Sequence, residues 1–167
     1  MRSENKDKSR QALIGGVPEG LDAQVFAESC IQNGMALFVA KDDVGLSRMS
    51  SAINFFAPEL EVLRFPAWDC LPYDRVSPKP EIVNVRINTL SKLLERDKKK
   101  KYAVITTISA LLQKVPPKIF FEKAKLRVNT TSPIDPKRLI NFLNQNGFFR
   151  VETVMEPGEF AFRGGLL

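Results

Sequence analysis

Histidine is absent from all 167 residues. That absence excludes His-dependent triads, His-ligated metals and imidazole acid–base chemistry, and with them most enzyme classes. Cysteine is nearly as scarce: Cys30 and Cys70 lie far apart and lack CxxC spacing. Buried free thiols in a reducing compartment are expected, rather than a disulfide or a metal site. No run of about 18 apolar residues occurs, so no membrane span is expected. Met1 to Arg10 is too polar for a signal peptide and reads as a flexible tail, which makes the cytoplasm the expected location. What is present is a globular composition, 44% hydrophobic and 26% charged. A chain of this length can hold one domain with a core, or one domain and part of a second.

The net charge is +6, and the basic residues partly cluster, at Lys98–Lys101 and then Lys114, Lys118, Lys123, Lys125 and Arg127. A nucleic-acid surface fits such clusters. A solvated turn between helix and strand fits better, because no aromatic residue alternates with the Lys98–Lys101 run.

Gly15-Gly16-Val17-Pro18-Glu19-Gly20-Leu21-Asp22 follows a short apolar run (Ala12, Leu13, Ile14) and leads into an amphipathic helix. Strand, glycine-rich turn and helix is the layout of a phosphate-binding loop, and Gly15 and Gly20 keep the spacing of the two glycines in GxxxxGK[ST]. The chemistry is missing. Leu21 stands where the phosphate-binding lysine belongs, and Asp22 stands where a hydroxyl would hold magnesium. An aspartate there repels the anion that a helix start attracts, and Pro18 removes one N–H from the cradle. The turn reads as a degenerate nucleotide loop or an ordinary strand-to-helix connection.

The remaining chain alternates. Ala23, Phe26, Ala27 and Cys30 form one helical face, ended by Asn33-Gly34. Met35 to Ala40 is a continuous apolar run, predicting a strand covered on both sides. Met49, Ala52, Ile53 and Phe56 repeat the helical spacing until Pro58. The preceding pair Asp42 and Asp43 suggests a helix N-cap more economically than a magnesium site. Glu61 to Phe65 reads as a strand, residues 81 to 95 as a helix with Val83, Ile87, Leu90 and Leu94 on its face. Tyr102 to Thr107 is a fourth strand, and Ile108 to Val115 a short helix. This alternation predicts an α/β fold: a P-loop-like parallel sheet wrapped by helices, over residues 11–117.

After Pro117 the pattern changes to α+β, and residues 118–167 read as the start of a second, incomplete module. Ala124 to Asn129 is an expected strand. Asp135-Pro136 opens a helix carrying Leu139, Ile140, Phe142 and Leu143, and Gly147 closes it. Val151 to Met155 and Phe160 to Leu166 are expected as strands about Glu156-Pro157-Gly158. An apolar strand at the very end of a chain is an aggregation hazard, so the sequence is expected to be a fragment.

Between the third predicted strand and the next helix lies FPAWDCLPYDRVSP, residues 65–78, braced by prolines and aromatic residues. By itself it predicts a rigid, packed connection with Trp68 as an anchor alongside Phe65, Leu71 and Tyr73. The stretch closely resembles the FPxWExLPYDxxSP segment of the bacterial transcription-repair coupling factors, the Mfd family. Arg86 to Leu90 (RINTL), Thr107 to Pro116 (TISALLQKVP) and Val154 to Leu167 (VMEPGEFAFRGGLL) resemble further segments of that family, in the same order.

The resemblance implies an N-terminal region similar to the repair protein UvrB, serving to recruit UvrA. RNA polymerase and DNA would be engaged only through parts of the longer family members that this sequence does not contain, including an ATP-driven translocase. It also implies a degenerate phosphate loop (Gly15, Gly20, Leu21, Asp22), no cofactor, and no catalysis by this stretch. The aromatic hairpin with which UvrB clamps damaged DNA is replaced by the short Arg75 to Pro80 connection, so lesion clamping is not expected. Phe162-Arg163-Gly164 is similar to the UvrB motif whose arginines contact UvrA. Only the second arginine is kept, Ala161 standing for the first. Arg163 and Glu159 are therefore the expected partner-binding residues, both pointing away from Phe160 and Phe162. The competing readings are a P-loop nucleotide-binding protein and a non-specific DNA-binding fragment.

Overall fold

A computed structural model describes residues 13–71, 75–123, 126, 128–129 and 135–164. Helix α1 spans Leu21–Asn33 and stops at Gly34, whose φ of 81° is the left-handed conformation that only glycine adopts cheaply. Strand β1 (Met35–Ala40) follows, then helix α2 (Asp43–Phe56) and strand β2 (Glu61–Phe65). Helix α3 is Pro80–Leu94, strand β3 is Tyr102–Thr107 and helix α4 is Ile108–Leu111. The three strands form one parallel sheet in the order β1-β3-β2, with Leu37, Val104 and Leu63 on a single rung. The α/β class is thus as the periodicity predicts. Among the described residues the expected strand before the glycine turn is not seen: Leu13 and Ile14 are exposed and lie outside the sheet, whose described strands number three rather than the four expected.

One face of the sheet carries the core. Ala23, Ala27 and Cys30 of α1 and Leu46, Met49 and Ile53 of α2 bury against Ala40, Ala103 and Ile105. Phe26 meets Phe38 edge-on, ring centroids 5.6 Å apart. Burial pushes the Cys30 thiol above its ordinary pKa, and both cysteines are free, Cys70 only half-buried.

The other face is covered unevenly. Leu63, Tyr102 and Val104 pack with Leu93 of α3. Their neighbour on the same rung, Leu37, is 54% exposed, as are Met35 and Val39 in part. The continuous apolar run therefore does not mark a strand covered on both sides. Among the described residues α3 covers β2 and β3 but leaves one face of β1 open. Helix α3 is also turned from its predicted face. Arg86 and Thr89 are its buried residues, while Ile87 and Leu94 face outward.

Beyond β3, helix α5 covers Lys118–Lys123 and helix α6 covers Pro136–Gln145. Asp135 caps α6 by accepting the Lys137 N–H at 3.0 Å, and Gly147 (φ 80°) follows its end. The strand expected over 124–129 falls largely outside the described residues. Two further strands are short, β4 at Phe149–Arg150 and β5 at Glu159–Phe160, and they pair in parallel. The segment 151–155 is not a strand. A parallel pair needs a connection that returns the chain to its starting edge, so residues 151–158 form that return rather than one arm of a hairpin.

Candidate functional site

Phe160 is the inward anchor of β5, 5% exposed, and Phe162 beyond it is half-buried. Arg163 is exposed. Glu159 is not a free carboxylate: its Oε2 accepts the N–H of Met155 at 2.8 Å and of Glu156 at 3.0 Å. Those two bonds close the Glu156-Pro157-Gly158 turn and hold the Glu159 carboxyl below its ordinary pKa. Arg150 on β4 reaches across to the Phe162 carbonyl oxygen at 3.4 Å. A second guanidinium thus stands one residue from Arg163. The sequence carried no signal for that pairing, because it depends on β4 lying beside β5.

The glycine turn is built differently from a phosphate cradle. The Leu21 N–H bonds the Pro18 carbonyl oxygen at 3.1 Å, and Gly20 takes φ 95° to start α1. The Asp22 carboxylate then folds back onto this start. Its Oδ1 accepts the Gly20 N–H at 3.2 Å and the Ala23 N–H at 3.0 Å. Arg48 of α2 donates to both carboxylate oxygens, Nη1 to Oδ1 at 3.2 Å and Nη2 to Oδ2. The Arg48 hydrogen bond above all, helped by its charge and the two backbone donors, holds the Asp22 carboxyl below 3.8. Gly15 and the Leu21 side chain are exposed. Asp42 caps α2, accepting the Gly45 N–H at 2.8 Å, as its sequence position suggested.

The carboxyl ends of β2 and β3, where an open α/β sheet usually receives its ligand, are filled from within. Arg86, 2% exposed, lies between the Phe65 and Trp68 rings, 4.1 Å from each centroid. Its Nη1 donates to the Pro66 carbonyl oxygen and to Gln113 Oε1 at 3.1 Å. Gln113 Oε1 also accepts the Trp68 N–H at 3.0 Å. Thr106 Oγ1 donates to the Phe65 carbonyl oxygen at 2.8 Å, and Thr89 Oγ1 donates to that of Arg64. Among the described residues no buried side-chain N or O lacks a partner. Trp68 is half-buried and Leu71 exposed, so the anchor of this loop is the Arg86 stack rather than a cluster with Leu71; Tyr73 lies outside the described residues.

Of the Lys98–Lys101 run, Lys100 pairs with Glu61, its Nζ at 3.7 Å, and Lys92 of α3 meets the same carboxylate at 2.8 Å. No cluster of three or more His, Cys, Asp or Glu suited to a metal occurs among the described residues. No described helix is long and apolar enough to cross a membrane.

No protein-family model matches the chain. Curated relatives do. The transcription-repair-coupling factor of Rickettsia bellii is 34% identical over 153 residues, 90% of this chain and 13% of the relative. That of Haemophilus influenzae is 31% identical over 156 residues, 93% of the chain and 13% of the relative. The Escherichia coli factor is 29% identical over 158 residues, 94% of the chain and 13% of the relative. The chain therefore spans roughly an eighth of these proteins' length. With its matched residues running almost end to end, this chain belongs to the transcription-repair-coupling factor family and corresponds to an N-terminal part of such a factor.

Proposed function

We propose that this chain is a UvrB-like docking module that recruits UvrA, and so serves the coupling of excision repair to stalled transcription. The observation that carries the reading is the exposed Arg163 next to the anchored Phe160–Phe162 stretch, with Arg150 reaching the same backbone. A planar guanidinium on a held backbone is suited to a forked contact with a carboxylate, and arginine is enriched among interface hot spots. Glu159 supports this role by closing the preceding turn. Residues 118–167 form the docking module and 11–117 its α/β support. That support is catalytically silent, because its glycine turn carries Leu21 where the phosphate lysine belongs and Asp22 where the magnesium-holding hydroxyl belongs. Engagement of polymerase and DNA, and ATP-driven movement, belong to parts of the longer relatives outside the match.

The test is capture of this chain by immobilised UvrA. Losing one partner of a desolvated charge pair costs roughly 2–5 kcal/mol, about thirty- to several-thousand-fold in affinity. Arg163→Ala should weaken capture within that range at an unchanged melting temperature. Arg163→Lys should restore it only in part, since lysine keeps the charge and loses the fork. Wild-type capture by Arg163→Ala rejects the site. Unfolding of the variant instead means that Arg163 holds the small module together.

A further inference from the structure

The N-terminal ends of the three sheet strands carry a cationic rim that UvrA docking does not use. Met35, Tyr102 and Glu61 share the first rung of the sheet, and the turn from α3 delivers the chain to its middle position. Lys98–Lys101 lie in that turn, and two further cations flank them across the sheet. Lys92 of α3 reaches Glu61 on β2, whereas Arg96 Nη1 lies 3.5 Å from Met35 Sδ on β1. Positive charge therefore extends over all three strands, about 10 Å at the usual ~4.8 Å spacing. The backbone beneath it is held. The Asp97 N–H donates to the hydroxyl of buried Tyr102 at 3.2 Å, and the Lys101 carbonyl oxygen accepts the Glu61 N–H at 3.1 Å. The acids at hand are partly committed. Asp97 Oδ1 accepts the Lys99 N–H at 2.9 Å, and Glu61 pairs with Lys92 and Lys100. Glu59 and Glu95 are the other carboxylates at this end, so cations remain in excess. Arg96, Lys98, Lys99 and Lys101 are exposed and form no ion pair among the described residues.

We propose that this rim is an accessory contact for the phosphate backbone of double-stranded DNA, added to the DNA engagement assigned above to the rest of the longer relatives. Within the sequence the lysine run reads as a solvated turn; the placement of Lys92 and Arg96 across three strands makes it a surface. Contact with a backbone needs cations on a positioned support and no reading of bases. The rim spans about three phosphates of one strand, at ~3.4 Å of helix axis for each. No aromatic residue lies between Arg96 and Lys101, which counts against stacking of single-stranded bases and not against a duplex. No apolar side chain lies there either, as insertion into an anionic membrane would need. Arg96, Lys98, Lys99 and Lys101 supply the contacts, while Lys92 and Lys100 stay with Glu61. The experiment contains no UvrA, so its outcome is separate from that of the docking proposal.

Titration of the full chain into a fluorescently labelled duplex of mixed sequence, read by anisotropy over a range of salt concentrations, tests this. Wild type should bind saturably at low salt, with a slope of log affinity against log salt of roughly −3 to −4 for four phosphate contacts. The triple variant Lys98→Gln, Lys99→Gln, Lys101→Gln should lose at least about tenfold in affinity and bring the slope to about −1. All three side chains are exposed, so its melting temperature should match wild type. A control triple, Lys114→Gln, Lys137→Gln, Arg138→Gln, removes the same charge elsewhere on the exposed surface and should bind as wild type does. Absence of saturable wild-type binding at low salt overturns the proposal. So does an equal loss in the control triple, which would make the effect one of net charge. Tighter binding to a single-stranded oligonucleotide, or equal rim-dependent binding to phosphatidylserine vesicles, overturns it as well.

Discussion

Arg86 joins three segments with one guanidinium: α3, which carries it, the loop after β2 through Phe65, Pro66 and Trp68, and the stretch after α4 through Gln113. Burial pushes its pKa down, yet two aromatic faces and two oxygens replace the lost hydration, which keeps it charged. Arg86→Ala should cost about 3 kcal/mol, because it leaves the Pro66 carbonyl and Gln113 unsatisfied and unstacks both rings. Trp68→Ala should cost less than the ~3–5 kcal/mol of a fully buried tryptophan, about 2 kcal/mol, since the indole is only half-buried. The two losses should not add: a double-mutant cycle in urea should return a coupling of about 1–2 kcal/mol. Additive losses would mean that the stack is geometric coincidence. The aromatic and proline content of residues 65–78 announced a rigid loop. That an arginine from α3 supplies the centre was not legible, because a charged residue on an amphipathic helix reads as its solvent face.

Strand β1 shows what an element owes to its cover. Leu63, Val104 and Leu37 share a rung and a face, yet the first two are 2% and 7% exposed and the third 54%. All three are apolar residues of parallel strands, so strand composition does not separate them. The position of α3 does. Leu63→Ala should therefore destabilise by about 2–5 kcal/mol, as for a core aliphatic, while Leu37→Ser should stay within about 1 kcal/mol. Equal effects in thermal unfolding would show that β1 is covered in solution. Helix ends, by contrast, were legible residue by residue. Asp42, Asp135, Gly34 and Gly147 act within one turn of themselves, and such local geometry needs no knowledge of the rest of the chain.

For the molecule as a whole, acid sensitivity follows from two carboxylates held in ion pairs. The Arg48 hydrogen bond lowers Asp22 from 3.8, and the Lys92 hydrogen bond lowers Glu61 from 4.5. A depressed folded pKa stabilises above the unfolded value and loses that contribution as pH falls through the folded one. The melting temperature should thus be insensitive to these groups down to about pH 4.5 and fall below it. Both pairs are partly solvated, so each contributes about 1 kcal/mol or less. Asp22→Asn and Glu61→Gln should each lower the neutral-pH melting temperature slightly and flatten the acid limb. A limb as steep in the double variant as in wild type would place the acid-sensitive contacts elsewhere.

The amino-acid sequence by itself determined the alternation of helix and strand from 21 to 111, the capping of the helices, the loss of the phosphate lysine and the kinship of the chain. Each of these is carried by residue types at fixed short spacing. Only the tertiary structure decided that, among the described residues, one face of β1 is left open, that Arg86 is a core residue, and that Arg150 stands beside Arg163. It also decided that Asp22 answers Arg48 rather than merely replacing a hydroxyl. Those outcomes depend on which distant segments meet, and a charge or an apolar side chain takes its meaning from what is packed against it.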